Sequence, residues 1–314
     1  MKLNVANGLL GQSVGRWCSA AAVASAVLLG ACGGGTTTVE PFVPSRAIAL
    51  GDGVADVGQA GGAVYSVNDG SNTTWVQEVA SNYGLGLKAQ AAGGQGWARG
   101  NARIALKPDA AGSSTNLTLN EQFDAFLAGN SLATGDIIML SGGTSDLLVQ
   151  AGSVQAGTIS VAQGVANAQA AGRALGELAR RIAASGGKHV VVTGLYDLGR
   201  SPYAVSAGLG AFLSRATGAF NEALLINMVD LGANVLYVDA PYQYNLLLNQ
   251  PSNYGYVNST TAACTTPTAL TCTASTIVAG ANYNAYLFAD DRYLTPSAQR
   301  SFGSSAYNRM KSRW

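Results

Sequence analysis

Three carboxylates and a hydroxyl follow apolar runs at chain turns, where an α/β protein does its chemistry. Asp52 ends the run Ala47-Ile48-Ala49-Leu50 in a Gly51-Asp52-Gly53 turn. Ser145 and Asp146 come after Asp136-Ile137-Ile138-Met139-Leu140, and Asp290 after Tyr286-Leu287-Phe288-Ala289. An apolar run stopped by glycine is how a parallel strand delivers a loop to the carboxyl edge of its sheet, where ligands bind. Two chemistries are open to such a set. A carboxylate of Asp52, Asp146 or Asp290 can take a proton from water. A hydroxyl attacks only with a neutral imidazole beside it and a carboxylate to orient the ring. His189 is the one histidine and opens the run His189-Val190-Val191-Val192-Thr193, which places it at the amino edge of its strand. A strand of six or seven residues is about 20 Å long, so His189 stands out of reach of the carboxyl edge. The same residues also have plain structural readings. Asp52 fixes its turn by local hydrogen bonds, Asp146 caps the helix that follows, and His189 is a polar strand-start residue.

The elements that must hold these residues are legible from periodicity. Strands are predicted over 46–50, 85–89, 136–140, 189–195 and 234–239. Helices are predicted between them, over 75–83, 117–130, 165–184 and 209–231, the third with Glu177 and Arg181 paired at i,i+4. Alternating strands and helices define a doubly wound, roughly five-stranded parallel sheet in a three-layer α/β/α sandwich, flavodoxin-like in outline. Residues 242–286, rich in Asn, Thr and Tyr, show little periodicity.

Four short blocks, taken in order, resemble the SGNH or GDSL family of ester hydrolases. Gly51, Asp52, Val54, Asp56 and Gly58 match the first block, in which the family carries Gly-Asp-Ser-Leu, and its nucleophilic serine falls on Gly53. Trp97, Ala98, Gly100, Ala102 and Arg103 match the second, which implies that the Gly100 N–H is an oxyanion-hole donor. Ser145-Asp146-Leu147 is similar to the third, with Ser145 in place of the oxyanion asparagine. In the last block Asp290 takes the triad aspartate and Tyr293 stands where the histidine belongs. The resemblance therefore implies an esterase or lipase scaffold without nucleophile or base, a pseudoenzyme. It also implies a cleft lined by Asp52, Gly53, Trp97, Gly100, Ser145, Asp290 and Tyr293, enlarged by the missing side chain at position 53. An acylated or glycan ligand suits that cleft. The alternatives are ester hydrolysis by Asp-activated water and a purely structural role in the envelope.

Composition bounds the partners. The 314 residues are 11% charged with a net charge of +1 and no basic stripe, which argues against nucleic acid. Lys2 and Arg16 precede an apolar segment over 20–31, too short to span a bilayer comfortably, as in a signal peptide. Leu29-Gly30-Ala31-Cys32 resembles a bacterial lipobox. The expected organisation is a lipoprotein signal over 1–31, a flexible tether over 32–44 acylated at Cys32, and one hydrolase-like domain over 45–314. The implied location is the cell envelope, by analogy the outer membrane, and the implied partner is the membrane itself through the lipid. Cys264 and Cys272 remain for a disulfide across a Thr-rich loop. No metal site or cofactor is expected.

Overall fold

The computed structural model describes residues 41–71 and 74–314, so the expected signal peptide, Cys32 and most of the tether lie outside the described residues. The folded unit runs from Phe42 to Trp314, which begins it earlier than the boundary expected at 45. Phe42 stacks on His189 at 3.5 Å and donates its N–H to the Trp314 carbonyl at 2.9 Å.

Four runs pair in parallel in the order β1 (Arg46–Gly51), β2 (Asp136–Ser141), β3 (Val190–Thr193) and β4 (Val235–Val238). Every residue of β2 and β3 is buried. A strand covered on both faces reads as a continuous apolar run, as these do. The register of β1 on β2 is pinned at its start, where the Arg46 guanidinium donates to both Asp136 oxygens at 2.8 and 2.6 Å.

The fifth strand expected over 85–89 does not form; only a single bridge joins Ala89 to Gly96. The run Leu85-Gly86-Leu87-Lys88-Ala89 has no β-branched residue, and the following glycines fold back on it so closely that a Cβ on Gly94 would meet the Lys88 carbonyl. Residues 95–99 take the outer edge of β1 instead. Ala49 N–H donates to the Gln95 carbonyl at 3.1 Å, Trp97 N–H to Ala49 at 2.7 Å and Arg99 N–H to Gly51 at 3.0 Å. The chain thus passes from one side of β1 to β2 on the other. The loops after β1 and β2 part at that switch point, and the candidate residues converge there.

The helices are α1 (Trp75–Asn82), α2 (Leu119–Gly129), α3 (Thr144–Gln155), α4 (Val161–Ala184), α5 (Pro202–Ser206), α6 (Gly210–Met228), α7 (Ala240–Asn249) and α8 (Pro296–Arg313). They complete a three-layer α/β/α sandwich. Helix α4 begins ahead of the expected 165 because Ser160 caps it, accepting from the Gln163 N–H at 3.1 Å. Arg181 does not pair with Glu177; it reaches across to Asp124 of α2. Helices α4 and α6 meet where Gly172 lies against the Phe220 carbonyl. On α1 and α8, Trp75 and Phe302 pack at 5.4 Å.

The region over 242–286 is more ordered than its composition suggests. It carries α7 and one strand of a two-stranded parallel sheet, β5 (Asn258–Ala262) with β6 (Tyr286–Phe288). The disulfide between Cys264 and Cys272 is present. Among the described residues no helix is long and apolar enough to cross a membrane.

Candidate functional site

The loops after β1 and β2 and the turn before α8 bring Gly53, Asp52, Ser145, Asp290 and Tyr293 to the carboxyl edge, as their spacing predicts. The cleft expected among them is filled. A Cβ built on Gly53 would stand 2.7 Å from the Tyr293 hydroxyl and 2.9 Å from the ring carbon that bears it. The tyrosine at the histidine position therefore occupies the space of the side chain missing at position 53. Tyr293 is 4% exposed and packs on Tyr65, ring centres 4.8 Å apart. Burial, with Asp52, Tyr65 and Asp290 nearby, raises its phenol well above the usual range.

The backbone donor that the resemblance assigns to an oxyanion hole, the Gly100 N–H, is occupied as well. The Gly100 N–H donates to the Asp56 carboxylate at 2.8 Å, and a Cβ on Gly100 would run into the Tyr65 ring. A donor already held by a carboxylate has nothing left for an oxyanion. Asp56 also accepts from Gly58 and Gln59, each at 2.9 Å. Burial pushes its carboxyl up, and these bonds hold it down. Ser145 is fully buried and its hydroxyl has no partner. Trp97, expected in the cleft, belongs to the core: it packs edge-on to Phe126 at 6.1 Å and donates its indole N–H to Gln95 at 3.2 Å.

Each candidate carboxylate is buried and spoken for. Asp52 accepts from Val54 at 3.1 Å and from Thr144 at 3.0 Å, tying the first loop to the start of α3. Burial raises its carboxyl to about 6, with the Val54, Ser145 and Thr144 N–H groups opposing. Asp146 does not cap its own helix, as its place after β2 suggests. It holds the second block, with one oxygen on Arg103 Nε at 3.2 Å and the other on the Ile104 N–H at 3.0 Å. Asp290 accepts from Arg292 at 3.0 Å and Tyr293 at 2.7 Å on one oxygen, and from Ala269 at 2.7 Å on the other. Ala269 lies within the disulfide loop. That loop is therefore more than a surface staple, since Cys264, Ala269 and Cys272 pack with Tyr65 and Tyr293. The burial of both Asp146 and Asp290 raises their carboxyls.

The pocket at this edge lined by Asp52, Ser141, Thr144, Tyr244, Tyr293 and Phe302 among others measures about 20 Å³. That holds about one water, whereas a ligand pocket measures roughly 300–1,000 Å³. His189 lies at the amino edge beside Phe42 and Trp314, far from this chemistry in the topology. Among the described residues no cluster of His, Cys, Asp and Glu could hold a metal. The residues that reasoning from sequence missed are Tyr65, which sits in a polar Gly-rich stretch without periodicity, and the true role of Asp56. Asp56 was visible as part of the first block, but nothing in its spacing said that it would face Gly100.

A parallel sheet with its candidate loops at one switch point defines a doubly wound α/β scaffold, flavodoxin-like in outline. The GDSL-like Lipase/Acylhydrolase family model matches residues 48–305, and the chain belongs to that family. No curated protein matches the chain.

Proposed function

We propose that this chain is a non-catalytic member of the GDSL family, carried on the bacterial cell envelope, at the outer membrane, as a lipoprotein acylated at Cys32. The observation that carries the reading is the contact between Gly53 and Tyr293, where a tyrosine ring fills the volume a nucleophile would need. Loss of the serine or histidine of such a triad costs about a millionfold in turnover, with only ~10³ to 10⁴ over water left from the oxyanion hole and binding. Here the hole's glycine donor is bound to Asp56 as well. Hydrolysis by Asp-activated water is disfavoured by the same geometry, since Asp52, Asp146 and Asp290 each accept protein hydrogen bonds on both oxygens. An ester or glycan held in the old cleft is disfavoured by the rings of Tyr65 and Tyr293, which stand in it.

The test is turnover of short p-nitrophenyl esters by the protein lacking its first 32 residues. No rate above buffer is expected; a rate that survives repurification and disappears in Asp290→Ala would overturn the reading. Metabolic labelling with palmitate tests the anchor. Label on the full chain that is lost in Cys32→Ala is expected, and an unlabelled full chain in a lipoprotein-processing host would contradict it.

A further inference from the structure

The amino edge of the sheet, at the opposite end of the strands from the family site, carries an exposed surface of its own. Helix α6 ends there, and the turn after it leads into β4, where the Asn234 carbonyl accepts from the Val190 N–H beside His189. The end of this helix leaves Leu225 and Ile226 exposed, and Val229 just after it is 84% open to solvent. Leu225, Met228 and Val229 form one side of a groove of about 360 Å³, completed by Gly232, Val235 and Tyr237. Single apolar side chains at a surface are ordinary, but a contiguous group beside an apolar groove marks a contact surface.

Two features decide what covers it. The first is where the chain enters the fold. Phe42 sits at this same edge, stacked on His189 and bonded to Trp314, and the next residue, Val43, is 80% exposed. The ten residues from Gly33 to Phe42 reach at most about 35 Å when fully extended. An acyl group on Cys32 therefore holds the amino edge within that distance of a bilayer. The second feature is charge. The segments that meet here, 186–189, 225–235 and 309–314, carry Lys188, Arg309, Lys311 and Arg313, and none of the four has an ion-pair partner among the described residues. Arg313 stands on the rim of the groove, donating to the Gly232 carbonyl at 2.6 Å. The one acid of these segments, Asp230, is taken by Arg180 at 2.7 Å. Unpaired cations beside exposed apolar side chains suit an anionic headgroup layer. A second copy docked here about a two-fold axis would set like charge against like.

We propose that the amino edge seats the protein on an anionic phospholipid bilayer, with Val43, Ile226 and Val229 entering the headgroup layer and Lys188, Arg309, Lys311 and Arg313 on the lipid phosphates. This rests on the lipoprotein reading above for what brings the bilayer near, and it turns the family site away from the membrane. The test uses the protein lacking its first 32 residues, which keeps the whole folded unit and carries no acyl group. It should sediment saturably with vesicles of phosphatidylethanolamine and phosphatidylglycerol in equal parts, and at least about tenfold more weakly with phosphatidylcholine vesicles. Ile226→Ser with Val229→Ser removes apolar surface and no charge, whereas Lys188→Gln with Arg309→Gln removes charge alone. Each pair should weaken binding to the anionic vesicles at least about tenfold. All four positions are exposed, so both paired variants should keep the wild-type melting temperature. Absence of saturable sedimentation, equal binding to the two kinds of vesicle, or wild-type binding in both paired variants would overturn the proposal. So would a dimer, seen by light scattering, that Ile226→Ser with Val229→Ser dissolves. Palmitate labelling reads the anchor separately. Label at Cys32 without vesicle binding sinks the docking surface alone, and vesicle binding without label sinks the anchor alone.

Discussion

A hydroxymethyl group added at Gly53 would bring its Cβ to 2.7 Å from the Tyr293 hydroxyl, inside any real contact distance. Gly53→Ser alone is therefore expected to destabilise the protein by about 1–3 kcal/mol through overpacking. Tyr293→His shortens the opposing side chain, so the double variant should be more stable than the two single costs added together. A urea-denaturation cycle on the four proteins measures that coupling. Asp52 makes a second, independent test at this scale. Its carboxyl is raised to about 6 in the fold against 3.8 as the ordinary value, so the folded protein binds a proton there that the unfolded chain has already lost. The resulting stabilisation is fully present below pH ~4 and is lost as pH rises through about 6, a span worth about 3 kcal/mol. Asp52→Asn removes that titration. The variant's denaturation midpoint should gain on wild type between pH 4 and pH 7; parallel curves would show that Asp52 titrates normally.

Among the elements, glycines decide how closely the helices pack. On α4, a Cβ at Gly172 would run into the Phe220 backbone of α6, whereas Gly218 on α6 has nothing within 4 Å. Gly172→Ala should therefore cost about 3 kcal/mol, and Gly218→Ala should stabilise by roughly 0.5–1 kcal/mol, read from denaturant midpoints. The disulfide loop is the other element with a measurable role. Cys264 and Cys272 are separated by 8 residues, and removing so short a cross-link should cost about 2–3 kcal/mol by chain entropy. Because Ala269 in that loop donates to Asp290, Cys264→Ala with Cys272→Ala should also loosen the packing around Tyr65 and Tyr293, seen as faster amide exchange there. The long apolar and amphipathic segments were legible in the sequence because one face or both faces of each are buried, and periodicity records burial. Residues 85–89 were misread because a leucine-rich run looks like a strand until the glycines after it are seen to fold back on Lys88. Tyr65 was invisible because its contacts, with Tyr293, Gly100 and Asn101, are all long-range, which leaves no local pattern.

Taken whole, the molecule keeps the architecture of its family, and on the function proposed above it has given up the family's chemistry. The identities at positions 53, 145 and 293 already implied in the sequence, through the family resemblance, that nucleophile, oxyanion amide and base are absent. That the vacated volume had been refilled could come only from the packing of Tyr293 against Gly53 and of Asp56 against Gly100. Four carboxylates at this edge, Asp52, Asp56, Asp146 and Asp290, are buried with raised carboxyls, and each serves to bind one loop to another. The most direct measurement of the central claim is intact-protein mass spectrometry after exposure to a fluorophosphonate, which labels an activated nucleophile covalently. The mass should be unchanged for wild type, with Gly53→Ser/Tyr293→His run alongside as the protein in which a nucleophile and base have been restored. A phosphonyl adduct on any residue of the wild-type carboxyl edge would contradict the account.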